Sequence, residues 1–266
     1  MTESEYRQHP AVSRSDLWAF HRSPEKFRYF QEHPEPPSAA LTFGRVVHKV
    51  VLEPETFGEE FAVWPSDADR RTKAGREAWE EFRAAVNGVE IISSDIHKQA
   101  LAIRESLERV PIVRKLLTGD HERPFFWTDE VSGEDCKCRV DCLCMELQQP
   151  VIVDVKTTTD ASTEAFQKDA IKYGYDLQAA FYSAGVAAEL GVEPLFAFVV
   201  VEKAEPYAVN VFLTDDVFKQ RGRKLMADYL AEYAYCRKSG DWYGYLGKEK
   251  LVNNLSLPTW LARELE

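Results

Sequence analysis

Through the first 120 residues, apolar positions recur at intervals of three and four. Residues 13–32 carry Leu17, Trp18, Phe20, Phe27 and Phe30, with Ser13 and Ser15 as caps and a break near Pro24. They predict one or two short helices. His33-Pro-Glu-Pro-Pro is a stiff connector. Residues 40–53 predict a helix with Phe43, Val46, Val47, Val50 and Val51 on its apolar side, stopped by Pro54. Residues 72–86 and 94–109 also read as helices.

The period then changes. Residues 124–128, 136–147 and 151–157 predict strands, and a helical region follows over about 162–190, interrupted at Gly174 and ended by Gly191. Residues 195–203 and 207–213 read as a strand pair, and 215–237 as another helix. This order predicts one mixed α/β domain. Its helical part covers about 1–120, its core about 121–240 and its tail 241–266. There is no internal repeat and no low-complexity tract.

Composition adds bounds. Of 266 residues, 45% are hydrophobic and 29% charged, which excludes a disordered or fibrous chain. The 33 Lys+Arg against 44 Asp+Glu leave a formal charge of −11 and a pI near 5.2. That balance argues against a protein that coats nucleic acid through bulk charge. Residues 1–8 are polar and lack an apolar signal core. The longest strongly apolar run, 195–201, has strand length and falls short of the roughly 18 residues of a membrane span. Five cysteines, four of them between Cys136 and Cys144, do not suit a secreted disulfide framework. The expectation is a reduced cytoplasm without membrane association.

The candidate chemistry lies in Arg139-Val-Asp141 and Val151-Ile-Val-Asp154-Val-Lys156-Thr-Thr. Residues two apart on a strand share a face, so Asp154 and Lys156 stand together while Val151, Val153 and Val155 point into the core. A turn centred on Gln148 and Gln149 places Asp141 opposite Lys156 and Leu143 opposite Asp154. Asp141, Asp154 and Lys156 then converge. Two carboxylates suit Mg²⁺ or Mn²⁺, which take hard oxygen ligands, and a lysine beside them suits metal-assisted phosphodiester hydrolysis. By spacing alone, the same residues also suit a surface hairpin with one Asp–Lys pair.

Asp141 with Asp154-Val-Lys156 resembles the PD-(D/E)xK nuclease signature. Phe43-Gly-Arg-Val-Val-His48 with Leu52-Glu-Pro-Glu-Thr-Phe57 resembles the opening motif of RecE-type exonucleases (exodeoxyribonuclease VIII). Arg70-Arg-Thr-Lys-Ala-Gly75, Cys136-Lys-Cys-Arg-Val-Asp141, Gln178-Ala-Ala-Phe-Tyr182 and Leu255-Ser-Leu-Pro-Thr-Trp260 extend the resemblance from about residue 10 to 260. It implies a restriction-endonuclease-like α/β core, with a mixed central sheet flanked by helices and a helical N-terminal region. It implies Mg²⁺-dependent 5′→3′ digestion of one strand of linear double-stranded DNA, leaving 3′ overhangs for recombination. A RecT-type annealing partner, a homo-oligomeric ring (trimer or tetramer) and a phage or prophage origin belong to the same implication. A RecB-like nuclease acting on single-stranded ends, in repair or CRISPR adaptation, is the neighbouring reading. A non-catalytic DNA-end or annealing-protein-binding subunit is the reading from another class.

The resemblance also assigns roles by position. His48, Asp141 and Asp154 match metal ligands, with the Val155 carbonyl as a main-chain ligand and Lys156 as the catalytic lysine. Gln178 and Tyr182, four apart on a helix face, match the Q-x-x-x-Y motif. Val140 stands where the signature usually has proline. Glu122, an acid leading into the core, is an additional metal candidate. Arg45 and the basic cluster Arg70, Arg71, Lys73 and Arg76 are candidates for phosphate contacts. Trp18, Trp64 and Trp79 read as core or contact aromatics. The cysteine cluster Cys136, Cys138, Cys142 and Cys144 occupies even positions, opposite in parity to Asp141. On a regular strand all four face away from the site as buried thiols, so neither zinc nor an iron–sulfur cluster is expected.

Overall fold

In the computed structural model of the protein, which describes residues 1, 3–36, 38–65, 71–86, 88–249 and 252–257, the strands expected after residue 120 join one sheet. They are β4 (Asp120–Thr128), β5 (Asp135–Cys144), β6 (Val151–Thr158), β7 (Leu195–Glu202) and β8 (Val209–Leu213). A two-residue strand, β1 (Val12–Ser13), completes the order β1-β5-β6-β7-β8, and β4 also pairs with β5. Pairs β4–β5, β5–β6 and β7–β8 are antiparallel, whereas β1–β5 and β6–β7 are parallel. The sheet is therefore mixed, as expected.

The helical expectation for the first 120 residues holds in outline. Helices α1 (Glu3–Gln8), α2 (Arg14–Phe20), α3 (Pro24–Glu32), α4 (Ala39–Leu52), α5 (Phe57–Glu60), α6 (Lys73–Ala85), α7 (Ser94–Glu108) and α8 (Pro111–Leu116) fill it. Serine caps start several of them: Ser13 forms a capping box on α2, and Ser38 accepts the Leu41 N–H at the head of α4. The sequence reading missed a small parallel sheet, β2 (Phe61–Trp64) with β3 (Glu90–Ser93). These strands are only four residues long, too short to show a period. The helical stretch after β6 divides as expected into α9 (Thr163–Lys172) and α10 (Tyr175–Leu190), and α11 (Asp216–Ser239) closes the fold. No helix among the described residues is long and apolar enough to cross a membrane.

The sheet separates two apolar cores. One joins Phe125, Val140, Ile152, Phe196 and Phe198 to Leu177 and Phe181 of α10 and to Leu230 of α11. The other joins Val153, Val155 and Val199 to Val46, Val47 and Val50 of α4 and Ile103 of α7. Each fully buried phenylalanine or valine contributes roughly 1.5–3 kcal/mol. Helices α10 and α11 cross closely because Gly222 meets the Asp176 backbone. A Cβ there would lie 1.9 Å from the Asp176 carbonyl oxygen.

Two expectations about strand geometry are corrected. Cys142 pairs with Val153, and Leu143 with Ile152, so the connection centres between Leu147 and Gln148. Asp141 therefore lines up with Asp154 and not with Lys156. The slip is two residues, which alone would keep Asp141 on the Asp154 face, but Asp141 turns to His48 of α4 while Asp154 meets Gln178 of α10.

The cysteines do not share one face. Cys136 and Cys138 lie in the core beneath α10, while Cys142 and Cys144 lie in the core beneath α4 and α8. The partner strand does the same. Phe125 lies in the α10 core and Arg123 reaches Glu189 of α10, yet the His121 ring turns to the carbonyls of Leu52 and Leu117. Pairing runs without slip across the change, with Arg123 opposite Val140 and His121 opposite Cys142. Inside–outside alternation thus inverts in both strands at Glu122 and Asp141. Glu122 takes a left-handed conformation (φ 48°) to allow it.

Candidate metal and catalytic site at the fork between β5 and β6

Beyond Cys142 and Val153, β5 and β6 separate, and β6 continues beside β7 alone. Val155 N–H consequently loses a strand partner. The Asp141 carboxylate replaces it, accepting that N–H at 2.7 Å. Asp141 and Asp154 thus stand at the point of a fork, each on its own prong.

Three donor side chains converge on the α4 side. Ligand atoms of His48, Glu122 and Asp141 all lie within 4.8 Å of one another. His48 sits on the face of α4 turned to the fork, with Nδ1 3.5 Å from Asp141 Oδ2. Its Nε2 lies 2.8 Å from the Val155 carbonyl oxygen. A carbonyl only accepts, so Nε2 donates to it, and Nδ1 is the ring nitrogen turned to the carboxylate side. The carbonyl expected as a main-chain ligand is therefore engaged by the histidine.

On the α10 side, Gln178 Nε2 donates to Asp154 Oδ1 at 2.5 Å. Lys156 Nζ stands 2.5 Å from Asp154 Oδ2, a contact of charge, because Oδ2 has no aligned hydrogen bond. The ammonium also lies 4.9 Å over the Tyr175 ring. Tyr182 lines the same cavity of about 560 Å³ as Lys156 and Gln178. A second cavity of about 280 Å³ holds His48 and Asp141, and Glu122 and Arg139 line both.

The electrostatics are those of crowded, desolvated acids. Burial, followed by the neighbouring Asp154 carboxylate, pushes Asp141 up to about 8. Burial, then Asp141, pushes Glu122 up to about 7. Burial is the largest influence on Lys156 and would lower it, but Asp154, Tyr175 and Asp141 together outweigh it and hold the ammonium above its ordinary range. Two carboxyls, one imidazole nitrogen and an excess of negative charge form a donor set that fits a hard divalent cation, which would reverse both carboxyl shifts.

The structure brings together Asp141, Asp154, Lys156, His48 and Gln178, and it places Glu122 within β4 among the converging donors. Asp154 stands outside that converging trio, engaged by Gln178 and Lys156. Arg45 lies on the wall of the His48 cavity, but its guanidinium is committed to Glu90 at 2.7 Å and Glu60 at 3.4 Å. Arg71, Lys73 and Arg76 are exposed around the start of α6, and the described residues lining the two cavities do not include them. Arg70 lies outside the described residues, as does the end of the Leu255-Ser-Leu-Pro-Thr-Trp260 block. Trp64 and Trp79 pack edge to face between β2 and α6.

Two basic side chains escaped assignment. Arg139 Nε lies 2.6 Å from Glu122, and its position two before Asp141 on the same face was the available signal. Arg14 Nη2 donates to the carbonyls of Tyr173 and, at 2.7 Å, Gly174. It fixes the turn that starts α10, where Gly174 (φ 65°) leaves no room for a Cβ against the Trp18 ring. No local pattern announces a contact across 160 residues.

The chain matches the family described as "PDDEXK-like domain of unknown function (DUF3799)" over residues 13–254. No curated protein matches it. Among solved structures, it is similar to a protein of Eubacterium rectale described as a "Putative exonuclease". That similarity is 15% identity with a TM-score of 0.63, covering 98% of this chain and 97% of that one. It is also similar to SSO0001, at 13% identity and a TM-score of 0.38, over 94% of this chain and 93% of that one.

Proposed function

The chain belongs to this PDDEXK-like family, and from that premise we propose that it is a Mg²⁺-dependent exonuclease. It digests one strand of linear double-stranded DNA from 5′ to 3′ and leaves 3′ overhangs. The observation that carries the reading is the fork itself, where Asp141, Asp154 and Lys156 meet beside His48 and Glu122. The description of the Eubacterium rectale protein, whose fold this chain shares along nearly its whole length, supports the same reading.

His48, Glu122 and Asp141, with Asp154 across the fork, would hold the ion. When bound, a divalent ion neutralises charge at the scissile phosphate and eases formation of the attacking hydroxide. The remaining work falls to the chain. Lys156 presents a charged ammonium, where it orients water and meets charge developing on phosphate oxygen. Gln178 fixes the Asp154 carboxylate, and Tyr175 supports the lysine from below. Water adds to phosphorus, the bond to the 3′ oxygen breaks, and 5′-mononucleotides result.

The same reading includes a homo-oligomeric ring of three or four copies and a RecT-type annealing partner that takes the overhang. It also places the protein in the cytoplasm of a bacterial host, encoded by a phage or prophage. The test is digestion of linear and circular duplex with Mg²⁺, labelling each 5′ end in turn. Release of labelled mononucleotide from 5′ ends, absent in Asp154→Ala, is expected. Equal cutting of circles, or cleavage retained in Asp154→Ala, would refute it.

A further inference from the structure

Lys137 shares a strand face with Arg139 and Asp141, yet it is only 5% exposed. Its Nζ donates to the backbone carbonyls of Tyr6 at 2.8 Å, Arg7 at 3.3 Å and His9 at 2.7 Å. An ammonium has three N–H donors, and all three are used. They go to the C-terminal end of α1, where orphan carbonyls and the negative end of the helix dipole gather. The ammonium also lies 4.9 Å over the Tyr6 ring. Phe126 of β4 packs against the rings of His9 and Tyr6, with centroids at 4.6 and 6.3 Å. The chain then enters the sheet as β1, paired with Cys136 and Lys137 themselves.

The helix held in this way borders both cavities at the fork. Tyr6 and Arg7 line the cavity that contains Lys156 and Gln178, and Arg7 also lines the one that contains His48 and Asp141. A free strand end can slide beneath such a strap. A strand without an end must first displace it.

We propose that Lys137 is a specificity-determining residue, which latches α1 across the cleft and so limits the substrate to strand ends. The proposal rests on the nuclease reading but concerns access to the site, not its chemistry. Lys137 does not meet phosphate, because its donors are spent on the chain.

The experiment compares Lys156→Met, which prevents turnover, with Lys156→Met/Lys137→Met. Each is titrated in Mg²⁺ with a fluorescent single-stranded oligonucleotide and with a covalently closed circle of the same sequence. Lys156→Met is expected to bind the open strand about tenfold more tightly, and the added Lys137→Met to remove most of that preference. A form lacking residues 1–9 is expected to behave like the Lys137→Met protein. Hydrogen exchange at amides 3–9 is expected to rise about tenfold in Lys137→Met, as a local opening. Equal binding of circle and open strand by Lys156→Met would overturn the latch and leave the nuclease reading intact. Unchanged exchange at 3–9, or a preference that survives removal of residues 1–9, would also overturn it. Binding to neither DNA would overturn the latch, since no single strand would then enter the cleft, while the duplex digestion above tests the nuclease reading separately.

Discussion

The Asp141 carboxylate accepts the Val155 N–H at 2.7 Å, so a residue assigned to the metal also closes the sheet where β5 leaves β6. The two duties separate by substitution. Asp141→Asn keeps an acceptor and loses the charge, whereas Asp141→Ala leaves a buried N–H unpaired, at a cost of about 1–3 kcal/mol. Both are expected to lose cleavage. Only Asp141→Ala should melt well below wild type in metal-free buffer. Equal melting points for the two would show that the hydrogen bond has no structural weight.

The raised carboxyls predict how stability follows pH. Glu122 rises from 4.5 to about 7 and Asp141 from 3.8 to about 8. The folded protein therefore holds protons that the unfolded chain releases. This stabilisation is complete below the unfolded values and is lost as pH climbs through about 7 and 8. Metal-free protein should lose stability between pH 5 and 8, and Mg²⁺ should restore more of it at pH 8 than at pH 6. Thermal melts across that range, with and without Mg²⁺, check the sign. A Mg²⁺ effect that shrinks as pH rises would contradict it.

Gln178 touches Asp154 and is buried beside it, so it should act by holding that carboxylate. Gln178→Ala is expected to lower turnover about 10- to 100-fold while the fold persists, as when a partner of a metal ligand is removed. Gln178→Glu would set a second carboxylate against Asp154 and should move the pH–rate profile upward. Stopped-flow digestion of labelled duplex measures both. A Gln178→Ala protein with wild-type turnover would remove the residue from the site.

At the start of α10, Gly174→Ala meets both a left-handed φ and the Trp18 ring. It is expected to cost roughly 1–3 kcal/mol from the backbone conformation alone. Urea unfolding reads the cost. Arg14→Ala should act in the same direction by freeing the carbonyls of the same turn.

Burial pushes the Cys136 and Cys142 thiols up to about 12, and Cys138 upward as well. Thiol reagents at pH 8 should therefore leave these three untouched until the protein unfolds. Rapid labelling of any of them in native buffer would show that the sheet opens there.

What the sequence disclosed follows the strand period. Asp154 and Lys156 share a face because two residues on one strand make one repeat, whatever the register with β5, whereas the face expected for Asp141 did not survive the inversion. The four cysteines are buried as expected, but the expectation of one shared face failed because it carried the period through Asp141, where alternation inverts. The strand predicted from 124 begins at Asp120, so Glu122 lies inside β4 and takes up the inversion. The β2–β3 sheet was too short to announce itself. Arg14 and Lys137 act on carbonyls more than 120 residues away in sequence, and such contacts leave no local trace.

The inversion at Glu122 and Asp141 also ties the lengths of two strands together. Each residue of β4 is matched to one of β5 on both sides of the pivot. A single insertion in either strand would send His121 and Cys142, or Phe125 and Cys138, into the wrong core. Viable relatives should therefore lengthen or shorten β4 and β5 as a pair, with the acids fixed at the crossing. Any indel tolerated singly should fall in the turn at 129–134.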